Sequence, residues 1–211
     1  MANKVLFSDL DGTLIEVGSA WETLHRHFGV DGKENYDAYF NKDISYSEWM
    51  NLDINLWLDK LGRVHISELK KAFDGWRYLP NVRDFVPIVK SKGYDFVIIS
   101  AGFDFLAEQA GKELGANAYY ANGLETDELG YLTGEGICKV RLGEKYKIVR
   151  KYCKSNEINP LDCVALTDKY DADLLYSVGT GIVIGQGDDQ VNKAADVRIE
   201  EKDLLEVLDY I

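Results

Sequence analysis

Four short runs of uninterrupted apolar residues constrain this chain more than any other feature: Val5-Leu6-Phe7, Phe96-Val97-Ile98-Ile99, Cys163-Val164-Ala165-Leu166 and Ile182-Val183-Ile184. A strand apolar at every position must be covered on both faces, which is the situation inside a parallel sheet. Each run ends at small or acidic residues. Between the runs lie segments with apolar residues at helical intervals: Phe85, Val86 and Val89 before Gly93; Phe105, Leu106, Ala110 and Leu114 before Gly115; Ile148, Val149 and Tyr152 after Lys145. Strand and helix therefore alternate, and the pattern predicts an α/β fold with a doubly wound, Rossmann-like parallel sheet. Ligands of such sheets bind beyond the carboxyl ends of the strands.

Residues 16–78 break this rhythm. Apolar and aromatic positions recur at helical spacing (Trp21, Leu24, Phe28; Trp49, Leu52, Leu56; Ile66, Leu69, Phe73) with no strand-like run among them. The stretch reads as a helical insertion after the first strand, with Pro80 and Pro87 flanking the return and Pro80 at the boundary. A core of residues 1–15 and 79–211 with a helical unit of residues 16–78 is expected, and 211 residues suffice for both. The turn-rich stretch Asn122–Gly134 reads as a hairpin.

Charge narrows the choice of partners. A formal net charge of -12 repels phosphate backbones, and neither a basic stripe nor a nucleic-acid module offsets it. A phosphorylated substrate would need a bound cation and a few local lysines or arginines to approach. The N-terminal Met1-Ala2-Asn3-Lys4 leads into an apolar stretch too short for a signal peptide or a membrane span. Cys138, Cys153 and Cys163 are odd in number without a close pair, as expected of reduced thiols filling space in a cytoplasmic protein.

The densest chemical signal is Phe7-Ser8-Asp9-Leu10-Asp11-Gly12-Thr13-Leu14, directly after the first apolar run. Two carboxylates one residue apart at a strand's carboxyl end can face one crevice once the backbone turns, and Gly12 permits that turn. A carboxylate can attack phosphorus to give an acyl phosphate, which makes Asp9 the candidate nucleophile. The leaving alkoxide needs a proton and the later water must lose one, a task for Asp11. Alone, the pair could equally cap and solvate a turn. The order of the other pieces adds weight. Ser100-Ala101-Gly102 ends the second apolar run, where a hydroxyl and backbone amides can hold phosphate oxygens. Lys145 precedes a helix and offers a fixed positive charge. Asp168 ends the third run as a hard oxygen ligand suited to magnesium, with Asp171 and Asp173 close behind. Singly, Ser100 reads as a helix cap, Lys145 as a solvated charge and the aspartates as helix-start residues.

Taken together these residues resemble the motifs of the haloacid dehalogenase superfamily: Asp9-Leu10-Asp11-Gly12-Thr13 the first, Ser100 the second, Lys145 the third, and Asp168 with Asp171 or Asp173 the fourth. The resemblance covers nearly the whole chain. It implies magnesium held by Asp9, Asp168 and the backbone carbonyl of Asp11, a phosphoryl group bound by Ser100 and Lys145, and a helical cap closing over a small phosphorylated metabolite. Within the superfamily the chain is most similar to the phosphoserine phosphatase group and its archaeal relatives, through Ser100-Ala101-Gly102-Phe103, Ala121-Asn122, Leu132-Thr133-Gly134, Ala195-Asp196 and Asp203-Leu204.

Two departures from that pattern stand out. The fourth motif usually has Asn and Asp three and four residues after the metal ligand; here Asp171 and Ala172 occupy those places, and Asp173 ranks slightly ahead of Asp171 as the metal's support. The group's cap grips serine with a Glu shortly after the first motif and with an Arg. Here the stretches read Glu16-Val17-Gly18-Ser19 and Ser47-Glu48-Trp49-Met50-Asn51, without a match to either. The resemblance thus transmits phosphatase chemistry rather than phosphoserine specificity.

Hydrolysis of a small phosphomonoester is the first expectation, because a cap of this size leaves a closed pocket. A phosphotransferase or phosphomutase would use the same Asp pair. A dehalogenase needs no acid at Asp11, and a non-catalytic binding protein needs no nucleophile. Trp21, Trp49 and Trp57 read either as the lining of a pocket or, as is commoner for aromatics at helical spacing, as core; His25 and His27 are expected at the surface, and His65 near a helix cap. The glycines at 179, 181, 185 and 187 miss the spacing of a dinucleotide loop and read as turns.

Overall fold

The computed structural model describes residues 4–211, so the signal-peptide reading of Met1-Ala2-Asn3 falls outside the described residues. Strand β1 (Lys4–Ser8) is followed by helices α1 (Ala20–Phe28), α2 (Lys33–Phe40), α3 (Tyr46–Leu61) and α4 (Ile66–Lys71). The chain then returns through α5 (Val82–Ser91), β2 (Tyr94–Phe103), α6 (Asp104–Leu114), and the pair β3 (Ala118–Thr126) and β4 (Leu132–Ile137). It closes with α7 (Tyr146–Ser155), β5 (Val164–Thr167), α8 (Ala172–Leu175), β6 (Thr180–Ile184), α9 (Asp189–Ala194) and β7 (Val197–Ile199). The seven strands lie in the order β4-β3-β2-β1-β5-β6-β7, and all neighbours are parallel except β3 and β4. This is the doubly wound, Rossmann-like sheet that the alternation of apolar runs and helical segments predicts.

The apolar runs fall where their composition requires. Side chains alternate across a strand, so each run feeds two cores. Leu6, Phe96, Ile98, Leu166 and Ile182 pack on one face with α5, α6 and the helical segment. Val5, Phe7, Val97, Ile99, Ala165 and Val183 pack on the other with α7 and α9. Phe7 and Phe96 are fully buried, each worth about 2–3 kcal/mol of transfer free energy. β1 is central, flanked by β2 and β5, so its carboxyl end sits in the middle of the sheet edge.

The helical segment is well punctuated. Ser19 caps α1, accepting from the Glu22 N–H, and Gly29 ends it in the left-handed region. Ser45 and Glu48 cap each other's backbone at the start of α3. His65 caps α4 through its side chain, as its position in the sequence suggests. The segment enters and leaves through one short ladder: the Glu16 N–H donates to the Arg77 carbonyl at 2.8 Å, and the Leu79 N–H to the Leu14 carbonyl at 2.9 Å. Pro87 lies inside α5 rather than beside the boundary.

Other expectations change. Ser100-Ala101-Gly102 does not end β2, which continues to Phe103 with an irregular register against β3 between Ile99 and Phe103. Trp57 is core, but Trp21 and Trp49 line a cavity. The sulfur atoms of Cys153 and Cys163 lie 3.9 Å apart, so a close pair exists in space although ten residues separate the two in sequence; both are free thiols. His27 is exposed, whereas His25 is largely covered and bonded to Asp53 and Trp57. Among the described residues no helix is long and apolar enough to cross a membrane.

Candidate active site

Asp9 follows β1, and its N–H still pairs with the Leu166 carbonyl of β5 at 2.9 Å. That bond fixes it between the two central strands. The chain then turns: the N–H groups of Thr13 and Leu14 both donate to the Leu10 carbonyl, and Gly12 takes φ +70°. A Cβ on Gly12 would stand 2.2 Å from Asp168 Oδ2. The turn therefore needs glycine twice, for its backbone conformation and for the carboxylate packed against it. We expect Gly12→Ala to cost at least about 1–3 kcal/mol in urea denaturation; an unchanged midpoint would mean that the turn and Asp168 relax without penalty.

The side chains around Asp9 form a charged network. Lys145, at the start of α7 and 1% exposed, donates to Asp9 Oδ1 at 2.6 Å and to Asp171 Oδ2 at 2.7 Å. The Thr167 hydroxyl donates to the same Asp171 oxygen at 3.1 Å. Asp11 Oδ2 accepts the N–H of Ala20, the first residue of α1, at 2.7 Å. Ser100 Oγ accepts the Gly102 N–H at 2.9 Å, and a Cβ on Gly102 would meet Ser100 Oγ at 3.1 Å and Asp11 Oδ2 at 3.2 Å. Asp11 and the Ser100–Gly102 stretch of β2 are thus in immediate proximity.

A cavity of about 780 Å³ opens above this floor. Asp9, Asp11, Ser100, Ala101, Gly102, Lys145 and Asp171 all line it; Thr13, Asp168 and Asp173 do not. Of the fourth-motif pair, Asp171 is the one bonded into the network, while Asp173 Oδ2 turns to accept the Tyr146 N–H at 3.1 Å. Asp171, rather than Asp173, is therefore the one in contact with Lys145. Asp173 sits in the first turn of α8 and serves the start of α7 instead. Thr13 is buried with an unpartnered hydroxyl among the described residues.

Four side chains beyond the motif residues join the site: Lys202, Trp21, Tyr46 and Asn122. Lys202 donates to the Gly12 carbonyl at 2.6 Å and to Asp168 Oδ2 at 3.1 Å, locking that carboxylate against the turn. Trp21 Nε1 and the Tyr46 hydroxyl, both from the helical segment, donate to the Ala101 carbonyl at 3.2 and 3.3 Å, and Asn122 Nδ2 donates to it at 2.9 Å. No motif marks Lys202. Trp21 shares a helix face with Leu24, His25 and Phe28, a spacing that does signal an inward-facing residue.

The electrostatics show a deficit of positive charge. Four carboxylates, Asp9, Asp11, Asp168 and Asp171, face two lysines. Burial pushes Asp9 well up from the ordinary carboxylate range; Lys145 opposes this, while Asp171, Asp168 and Asp11 add to it. Burial pushes Asp11 up to about 6, against the pull of the Ala20 N–H and Lys145. Burial alone would lower Lys145, but Asp171 and Asp9 outweigh it and hold the ammonium charged. One oxygen each of Asp11 and Asp171 is buried without a partner among the described residues.

A carboxyl group raised in the folded state binds protons there that the unfolded chain has lost. Its stabilising contribution is present below about pH 4 and disappears as the pH rises through about 6. In EDTA, stability toward urea should therefore fall between pH 4 and pH 7, by at most about 3 kcal/mol for Asp11. Asp11→Asn should make that fall shallower. An identical slope in the variant would show that Asp11 does not titrate in this range.

The profile of the haloacid dehalogenase-like hydrolases matches residues 6–174, and the chain belongs to that family. The relatives it matches are phosphoserine phosphatases. The enzyme of Methanocaldococcus jannaschii is 26% identical over 99% of this chain and 97% of its own length. That of Archaeoglobus fulgidus is 24% identical over 96% of this chain, which spans 58% of that longer protein. A solved phospho-aspartyl intermediate analogue of phosphoserine phosphatase superposes with a TM-score of 0.83 over 100% of both chains at 24% identity, which speaks for a common fold.

Proposed function

We propose that the chain is a phosphatase that hydrolyses a small phosphomonoester through a phosphorylated Asp9. The observation that supports this most is the Asp9–Lys145–Asp171 network at the floor of a cavity also lined by Asp11 and Ser100. In the proposed reaction an Asp9 oxygen attacks phosphorus while Asp11, whose raised pKa keeps a proton available near neutrality, protonates the departing alkoxide. Asp11 then takes a proton from the water that attacks the acyl phosphate, releasing phosphate and restoring Asp9. Lys145 and Ser100 hold the phosphoryl oxygens, with Lys145 offsetting charge that grows in the transition state. The Gly102 N–H is engaged by Ser100 Oγ, which fixes the serine side chain at the end of β2.

A divalent metal fits this floor. Among the described residues no group of three or more His, Cys, Asp or Glu side chains is arranged as a metal site. The proposed set needs only two carboxylates, Asp9 and Asp168, plus the Asp11 carbonyl. Hard oxygen donors and an excess of carboxylates over lysines suit magnesium. When bound, it would neutralise the phosphoryl oxygens and keep Asp9 ionised for attack. Lys202 orients Asp168 from behind, and Asp171 keeps Lys145 charged and in place.

Residues 16–78 act in this reading as a cap over the core of residues 1–15 and 79–211. Trp21 and Tyr46 latch it to the Ala101 carbonyl beside the phosphate site. The buried free thiols of Cys153 and Cys163, outside the cap, support a place in the reducing cytoplasm. The test is phosphate release from p-nitrophenyl phosphate and a panel of small phosphomonoesters, with magnesium or with EDTA. Magnesium-dependent release is expected. Transfer of phosphate to an added alcohol without release would point to a phosphotransferase, and silence across the panel would overturn the phosphatase reading.

A further inference from the structure

The part of the cavity wall formed by the helical segment has a definite chemistry. Asp53 on α3 lines it, 3% exposed. Its Oδ1 accepts Asn35 Nδ2 at 2.8 Å, and its Oδ2 lies 3.2 Å from His25 Nε2. The Trp57 indole N–H, which can only donate, reaches His25 Nδ1 at 3.0 Å. The imidazole proton therefore resides on Nε2 and is given to Asp53. Both carboxylate oxygens have hydrogen bonds, but no cationic side chain cancels the charge. An unbalanced buried carboxylate is costly unless a positive partner arrives.

Aromatic side chains form the rest of this wall. Trp49 stacks on Tyr39 (4.6 Å between centroids) and meets Tyr46 edge-on; Trp21 stacks on Trp57 (5.7 Å). Trp21, Tyr46 and Trp49 line the cavity. Of the two cations near the mouth, Lys33 is paired with Asp37 at 2.6 Å and Arg26 is solvent-exposed; Glu22 and Asp31 lie beside them. Nothing buried in this wall would receive a carboxylate.

We propose that the leaving alcohol of the substrate bears an organic ammonium group, held against Trp21, Tyr46 and Trp49 by cation–π attraction and by the charge of Asp53. This rests on the phosphatase reading and names the substrate class for the same site: phosphorylated amino alcohols rather than phosphorylated amino acids. The aromatic faces attract a cation but not an uncharged group of equal shape, and Asp53 repels a substrate carboxylate.

The experiment compares kcat/KM for phosphocholine, its uncharged isostere 3,3-dimethylbutyl phosphate, phosphoethanolamine and phosphoserine, with p-nitrophenyl phosphate as the generic substrate. Phosphocholine should exceed the isostere by roughly tenfold, and phosphoethanolamine should exceed phosphoserine. Asp53→Asn and Trp49→Leu should each shrink the phosphocholine-to-isostere ratio. Should either variant fold poorly, tetramethylammonium should inhibit p-nitrophenyl phosphate hydrolysis by the unaltered protein at concentrations where tert-butanol does not. Equal rates for phosphocholine and the isostere, or preference for phosphoserine, would overturn the inference while p-nitrophenyl phosphate hydrolysis left the phosphatase reading standing. Absence of hydrolysis of every compound would remove both.

Discussion

Replacing Asp9 by Asn should lower phosphate release by about 10⁴-fold or more while the protein remains folded. The amide cannot form an acyl phosphate, and no other carboxylate occupies the same junction of β1 and β5. Rapid acid quenching with a radiolabelled substrate should trap phosphate on the unaltered protein and none on the variant. Stability in EDTA should hold or rise, because burial and three neighbouring carboxylates already disfavour the Asp9 charge. Lys145 loses one acceptor but keeps Asp171. A variant that turns over at the original rate would eliminate the covalent mechanism, whatever its stability.

Replacing Lys145 by Met should damage both chemistry and fold. Its ammonium is buried between Asp9 and Asp171, and among the described residues no other lysine bonds to either carboxylate. Removing one partner of a buried ionic network typically costs about 3–5 kcal/mol, because the remaining charges lose their compensation. The loss should appear as a lowered urea midpoint at pH 7. Adding Asp171→Asn to the Met variant should recover part of it, since one of the stranded carboxylates is gone. Turnover should fall by about 10²–10³-fold even where the variant is folded, through loss of transition-state charge stabilisation. Full stability in the single variant would mean that the two aspartates are protonated in its absence without penalty.

The parts of this molecule that are apolar on both sides were the easiest to read from the sequence. Val5-Leu6-Phe7 and Phe96–Ile99 read as interior strands and are found as such, and the acidic or small residues that end them mark the edge where chemistry gathers. β3 was harder because it runs toward the sheet edge with only its middle buried, and Tyr119, Asn122 and Gly123 interrupt any simple alternation. β7, three residues long, carries too little pattern to register. Motif residues separated by more than a hundred positions, such as Asp9 and Lys145, could be paired only through the order of strand ends and the family resemblance. Fine geometry was not available that way: whether Asp171 or Asp173 reaches Lys145 depends on where α8 begins, and Lys202 reaches Asp168 only because β7 returns beside β6. The proximity of Cys153 and Cys163 is likewise a product of α7 packing on the start of β5.

The short ladder that joins Glu16 to Arg77 and Leu14 to Leu79 has an evolutionary consequence. Sixty-odd residues depart from the first strand and come back at neighbouring points, so the backbone experiences them as a closed loop whose closure entropy grows only slowly with length. Such a loop can be lengthened, shortened or exchanged while the strand ends stay put. Descendants of one chemistry can thereby acquire new diets by rewriting the loop alone, and an engineer could graft a foreign loop at the same two stitches.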